Sequence, residues 1–391
     1  MTVTCGRVPT RLPPAPGLSM LLCIALLLTG AALRQIDRLH FARARPHTGS
    51  AAELITLQRT RANNLTPVLL LIGQWVQITG WWLLAAQSPL GAVICALAVA
   101  VHYRHLQEIS HFAVHGVLAR GRRANLLLAE IFAHHPLVLA PAVVRRDKHV
   151  RDHHPNATLD NDPNLAELRV AGLRPGVSRT RFAQALVFPL TASGVRATAG
   201  EISSNLSQHT GRWPRLAAAL LIPAAAYAVG GWPALLAGAL LPRLLLYPQL
   251  AWLSLINEHT WFDPDTRTGA PAWVEAGRCL RLYPANRLLT ALAALTWLPY
   301  GDLHHYAHST HPAIRWNYLP ALERHLASPH FTPGALLIGP DSVLQRHRRA
   351  LDAPVEKANR HLGTAPADNS AHRASRCEPS RAGIVDGSLD I

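Results

Sequence analysis

Four apolar segments, arranged as two pairs that are each joined by a short turn, limit what this chain can fold into. The first pair runs from about Thr66 to Ala86, turns at Gln87-Ser88-Pro89 and returns from about Leu90 to Val101. The second runs from about Pro214 to Val229, turns at Gly230-Gly231-Trp232-Pro233 and returns to about Ile256. Gly and Pro punctuate helices and open turns, and about 20 apolar residues span a bilayer. In hydrocarbon only helices and closed barrels satisfy their own backbone. The segments therefore predict an all-α integral membrane protein with two transmembrane hairpins, about four spans. Composition agrees, since 16% of the 391 residues are charged, against about 25% in soluble domains.

The formal net charge is +15, which raises nucleic-acid binding as an option. No zinc-finger spacing, basic helix leading into heptads or aromatic RNA-binding signature supports it. The arginines flank apolar segments instead. Neither hairpin turn carries Lys or Arg, whereas the stretch from Arg104 to Arg215 includes Arg145, Arg146, Lys148 and Arg151. The positive-inside rule then puts that stretch in the cytoplasm and the turns on the other side. Five cysteines form no CxxC pair; Cys23 and Cys95 sit in apolar runs and read as small apolar residues, which fits a reducing compartment.

Outside the hairpins the signals are weaker. Residues 1–62 read as an N-terminal extension. Its apolar run, Leu18 to Leu33, is short for a span and leaves four options open: a signal-like segment, a short anchor, an interfacial helix, or sequence ahead of a start at Met20. Leu126 to Val144 and Leu288 to Tyr300 suit buried or interfacial helices. Residues 331–391 form a C-terminal tail, small and polar enough to be largely disordered after about residue 363.

The chemistry lies in the histidines, which come in boxes between the apolar segments. The first is His111-Phe-Ala-Val-His115, and the second is His149-Val-Arg-Asp-His153-His154. Glu258-His259 ends the fourth span, and His304-His305-Tyr-Ala-His308-Ser-Thr-His311-Pro312 forms the last box. Imidazole is the commonest metal ligand at neutral pH. His111 and His115 share a helix face at i, i+4. In an α-helix His149 and His153 would share a face and His154 would diverge by about 100°, so the box can serve two metals. The cations around it should depress the imidazole pKa values and keep them free for metal. Charge placement predicts that all the boxes lie on one membrane face, forming a cytoplasmic helical cap. So many imidazoles, with no HExxH and no thiolate set, exceed what one zinc needs. Two iron ions with open positions for oxygen fit the count better. A histidine-rich metal transporter would place ionisable groups near the midplane; the boxes lie at span ends, and Arg243 is the one strongly basic residue inside a span.

Box order, spacing and hydropathy together resemble the membrane fatty acid desaturase and hydroxylase superfamily, over about Thr66 to Leu326. Its boxes read HxxxH, then HxxHH or HxxxHH, then HxxHH. Thr158 and Asp162-Pro163 after the second box, Glu258-His259, and Asn317-Tyr318-Leu319-Pro320 after the last box are similar to the family's flanking residues. The resemblance assigns residues 63–330 to a desaturase-like membrane domain. It implies two non-haem irons held by His111, His115, His149, His153, His154, His259, His305 and His308, with His304 or His311 completing the set. Glu258 and Asp302 would stand behind the ligands. It also implies O2 as co-substrate, a lipid acyl chain carried by acyl-carrier protein, coenzyme A or a phospholipid, and desaturation of that chain. No haem-binding HPGG run is present, so electrons would come from a separate ferredoxin or rubredoxin. One departure stands out: Ser309 occupies the last position of HxxHH. The run through His311-Pro312 is similar to the alkane monooxygenase branch, which makes hydroxylation by the same centre the alternative outcome. The spans would shape a tunnel with the metals at its cytoplasmic mouth.

Overall fold

The computed structural model describes residues 16–43, 46–282 and 287–352. Among them there is no strand, only isolated bridges such as His259–Cys279. Four helices are long and apolar enough to cross a membrane. The tail beyond about residue 363 lies outside the described residues.

The first hairpin is built as its sequence demands. Helix α1 (Pro16–Ala42) and α2 (Ala51–Arg61) precede it, and α3 (Leu65–Ala85) and α4 (Pro89–Val114) form it. At 1.5 Å per residue α3 is about 31 Å long, close to the hydrocarbon thickness, and α4 about 39 Å. Helix α4 therefore projects beyond the bilayer by two or so turns. That projection carries His111, with Glu108 at its base. The first box is thus continuous with its span rather than a separate helix beyond it. Between α3 and α4, Ser88 Oγ accepts from Gly91 N at 3.0 Å with Pro89 in the first turn, a capped start that suits both residues. A Cβ at Gly91 would collide with the Leu84 carbonyl, so only glycine permits so tight a return.

The second hairpin is one 47-residue helical stretch, Arg212–Glu258, more than twice the length a bilayer needs. It is broken at Gly230 and at Gly231, where φ is 63° and ψ is −156°, values that glycine adopts without strain. The returning arm contains π-helical turns at Leu236–Leu240 and Pro242–Leu246. Pro242 cannot donate to the helix ladder there. Trp82 Nε1 donates to Gly238 O at 2.8 Å and fastens one hairpin to the other.

Helix α1 corrects the reading of the N-terminal segment. It is 27 residues long, because it continues past Leu33 through Arg34, Asp37 and Arg38. It packs on α3 where small residues allow close approach: Gly73 faces Leu33 and Gly80 faces Leu26. Its charged end is not left in solvent. Asp37 is buried against Arg315, Trp316 and Asn317, and Arg34 reaches His105 and the face of Tyr300. Helix α2 adds Gln58, which bonds Ala313 O and Arg315 N. At the other end Val343–Asp352 is a helix whose His347 bonds Ile256 O at 2.9 Å.

Two apolar hollows, of about 440 and 290 Å³, lie along the second hairpin. Leu236, Leu240, Leu241, Leu244 and Leu245 line the first, and no His-box residue lines either. Neither hollow corresponds to a tunnel leading to the boxes. Trp81, Trp82 and Tyr103 are buried in the interior of the first hairpin.

Candidate metal centre

The last turns of α4, the second box, the end of the fourth span and the third box converge above the hairpins. Their side chains form two groups. His111, His115, His149, His154 and His308 place their ligand atoms within 4.8 Å of one another, as do His153, Glu258, His259 and His305. In the first group His111 Nε2 lies 2.7 Å from His149 Nε2 and 3.2 Å from His115 Nε2, and His154 Nε2 lies 3.3 Å from His115 Nε2. In the second His305 Nε2 and His259 Nε2 are 3.2 Å apart. Neighbouring ligands of an octahedral ion with bonds of roughly 2.1 Å stand about 3.0 Å apart, so these spacings suit chelation.

The division of the second box differs from the α-helical expectation. Residues Asp147–His153 form a π-helical turn, with His154 N bonded to His149 O. A π-turn brings i and i+5 into line. His149 and His154 therefore join one group, and His153 alone turns to the other.

Each group is held from behind. His111 Nδ1 meets Glu108 Oε1 at 2.8 Å, and His153 Nδ1 meets Asp162 Oδ1 at 3.0 Å. His259 Nδ1 meets Arg278 O at 3.3 Å. Such contacts select the tautomer that leaves Nε2 as the ligand atom. The carboxylates are themselves fixed. Asp162 accepts from Thr158 N and Asn164 N. Arg104, fully wrapped by protein, reaches Glu108 at 2.9 Å and Asp302 at 2.5 Å. Asp302 also accepts from Ser254 and lies 3.6 Å from His305 Nδ1. Arg278 pairs with Glu275 and donates to the carbonyls of His154, Pro155 and Ala157, tying the second box to the strand-like bridge at His259. Cys279 Sγ lies 3.4 Å from His259 Nδ1, on the ring edge opposite His305, so it supports that histidine from outside the group.

Burial sets the electrostatics. It holds His115, His149, His154, His259 and His308 well below the usual imidazole range, with neighbouring imidazoles adding to the effect. The surrounding cations contribute less than the sequence suggested: Lys148 is half-exposed and pairs with Glu167. His305 is the exception. Burial lowers it, but Glu258 and Asp302 outweigh that and raise it.

A metal fits these residues. His153 Nε2 and both ring nitrogens of His308 are buried without a hydrogen-bond partner; coordination through one nitrogen of each ring would remove a cost of about 1–3 kcal/mol per ligand atom. His304 and His311 fall outside both groups. His304 Nδ1 is 2.8 Å from Glu323 Oε2, and His311 caps the helix carrying His305 and His308. Ser309 is buried beside them. Arg104, Glu108 and Asp162 are the site residues that histidine counting missed; a carboxylate three residues before His111, on an apolar helix, was the available signal.

Comparison with curated proteins finds no match. The family model described as fatty acid desaturase matches residues 81–333, about two thirds of the chain, from the end of α3 through the third box. With four apolar helices and two histidine groups at their ends, the chain belongs to the fatty acid desaturase family.

Proposed function

We propose that the protein catalyses oxygen-dependent desaturation of a lipid acyl chain at two non-haem irons. The observation that carries this is the pair of abutting imidazole groups, with consecutive residues His153 and His154 assigned to different groups. His111, His115, His149, His154 and His308 would hold one iron, and His153, His259 and His305 the other. Bound there, the pair supplies activation of O2 for hydrogen abstraction from an unactivated C–H bond. The chain's own part is positioning. Glu108 and Asp162 fix the rings of His111 and His153 through Nδ1, and burial keeps His115, His149, His154, His259 and His308 neutral, the state in which imidazole binds metal.

The four apolar helices fit a membrane protein. We read the spans as crossing a cytoplasmic membrane, with the Lys- and Arg-free turns at Gln87-Ser88 and Gly230-Gly231 outside and the metal centre at the inner face. Exposed basic residues near the second box, such as Lys148 and Arg151, would serve an acidic electron donor of the ferredoxin or rubredoxin kind, or an acyl-carrier protein. Hydroxylation by the same centre is the second reading, favoured by Ser309 and by His311-Pro312 after the third box.

The test is turnover of the iron-loaded protein with acyl substrate and an electron donor under isotopically labelled O2. A product lighter by two hydrogens and free of label supports desaturation. Label retained in the product sinks it in favour of hydroxylation. Purified protein that binds no iron, or zinc alone, defeats both.

A further inference from the structure

We propose that Glu258 is itself a metal ligand, so that the two metal positions are chemically unequal: one all-imidazole, the other imidazole and carboxylate. This rests on the two-iron reading above and deepens it. The first group offers five imidazoles and the second three, with the Glu258 carboxylate as its fourth member. Its oxygen lies within 4.8 Å of the ligand atoms of His153, His259 and His305. A fourth protein ligand is what the second position otherwise lacks.

The neighbouring carboxylates sharpen the assignment. Glu108 is held by Arg104 and His111. Asp162 is held by His153 and two backbone N–H groups. Asp302 is held by Arg104 and Ser254, Glu275 by Arg278, and Glu323 by His304. Glu258 has no hydrogen bond or ion pair with any described residue. A half-buried carboxylate that accepts no hydrogen bond is costly, and none of the three imidazoles beside it donates one to it. A divalent ion satisfies all four at once.

The backbone explains how adjacent residues reach one ion. On a continuous helix Glu258 and His259 would diverge by about 100°. The helix ends at Glu258, and His259 is extended at φ −139° and ψ 166°, bridged to Cys279. That break turns His259 back toward the side Glu258 faces. Ser309 gives the chemical context: where the family's box has a further imidazole, this chain has a hydroxyl, and Glu258 restores the ligand count with an oxygen. Imidazoles combined with a carboxylate and open positions are the pattern of non-haem Fe(II) sites. Five imidazoles would leave the first position with fewer open sites than three imidazoles and a carboxylate would leave the second.

The experiment uses the full chain in detergent, loaded anaerobically with Fe(II). Wild type is expected to hold two irons, to release them to a chelator in two phases, and to show two ferrous Mössbauer doublets. Glu258→Gln, nearly isosteric, should fall to one iron, losing one phase and one doublet. His149→Ala should lose the other doublet. Glu258→His, which offers nitrogen in place of oxygen, should keep two irons with one doublet shifted. Glu258→Gln with two irons, two unchanged phases and unchanged doublets overturns this proposal while leaving the two-iron reading intact, as does Glu258→His with unchanged doublets. Wild type holding fewer than two irons overturns the two-iron reading itself.

Discussion

Replacing Asp37 by Ala tests whether α1 belongs to the catalytic domain. Its partner Arg315 is 278 residues away in sequence, at 2.7 Å from Oδ1, and is fully buried. Oδ2 takes bonds from Trp316 Nε1 and Asn317 Nδ2, both at 2.9 Å. The Arg315 guanidinium lies 3.7 Å from the Phe41 ring centre and 3.6 Å from that of Trp316, so the pair sits among aromatic rings rather than at the surface. Breaking a buried pair by removing one partner costs about 3–5 kcal/mol, and at least a hundredfold, roughly, in the folding equilibrium. The orphaned Trp316 and Asn317 donors act in the same direction. Unfolding in detergent, followed by tryptophan fluorescence, reads this directly. The double variant Asp37→Leu with Arg315→Met should recover most of the loss, because a buried ion pair replaced by apolar groups of similar size is often near neutral. A single-variant loss under about 1 kcal/mol, the scale of a solvated surface pair, would refute the reasoning and make α1 a removable anchor.

Three further outcomes are expected. Arg104→Met leaves Glu108 and Asp302 buried without their cation; it should cost about 3–5 kcal/mol and lower iron content, and a variant with full iron content would remove Arg104 from the support of both groups. His304→Ala and His311→Ala should each keep two irons per chain, whereas His308→Ala should not; equal losses in all three would return the third box to an undivided ligand set. The metal-free protein should be stable above about pH 7 and weaken on acidification. The unfolded chain protonates its histidines near 6.5, while burial holds His115, His149, His154, His259 and His308 well below that and His347 down to about 4. The unfolded state therefore binds protons first as pH falls. His305 and the Asp263 carboxyl, both raised in the fold, oppose this, and a melting temperature that climbs from pH 7 to 5 would show the assignment of sign to be wrong.

Hydropathy and turn residues made the two hairpins legible, since Gln87-Ser88-Pro89 and Gly230-Gly231 announce themselves locally. Box order and spacing made the histidines legible as a cluster that could hold metal. The remainder depends on contacts that sequence does not display. Leu18–Leu33 looked too short to span because Arg34 and Asp37 look costly in a helix there, and the groups they bond to, His105 and Arg315, are remote in the chain. His304 is indistinguishable from His305 by type, and only its proximity to Glu323 removes it. Glu258 read as a residue behind the ligands because nothing in sequence shows that it lacks a partner.

The π-turn at Asp147–His153 explains how two spellings of one box can be equivalent. In an α-helix HxxHH puts its first and last histidines one turn apart and sends the middle one elsewhere. With one more residue, HxxxHH does the same if the turn widens to i+5 bonding. The wider turn absorbs the insertion locally, so His149 and His154 still meet His111 and His115 while His153 still meets His259. The helix here acts as a length adjuster: a chain can differ by a residue at this point without exchanging which histidine joins which group.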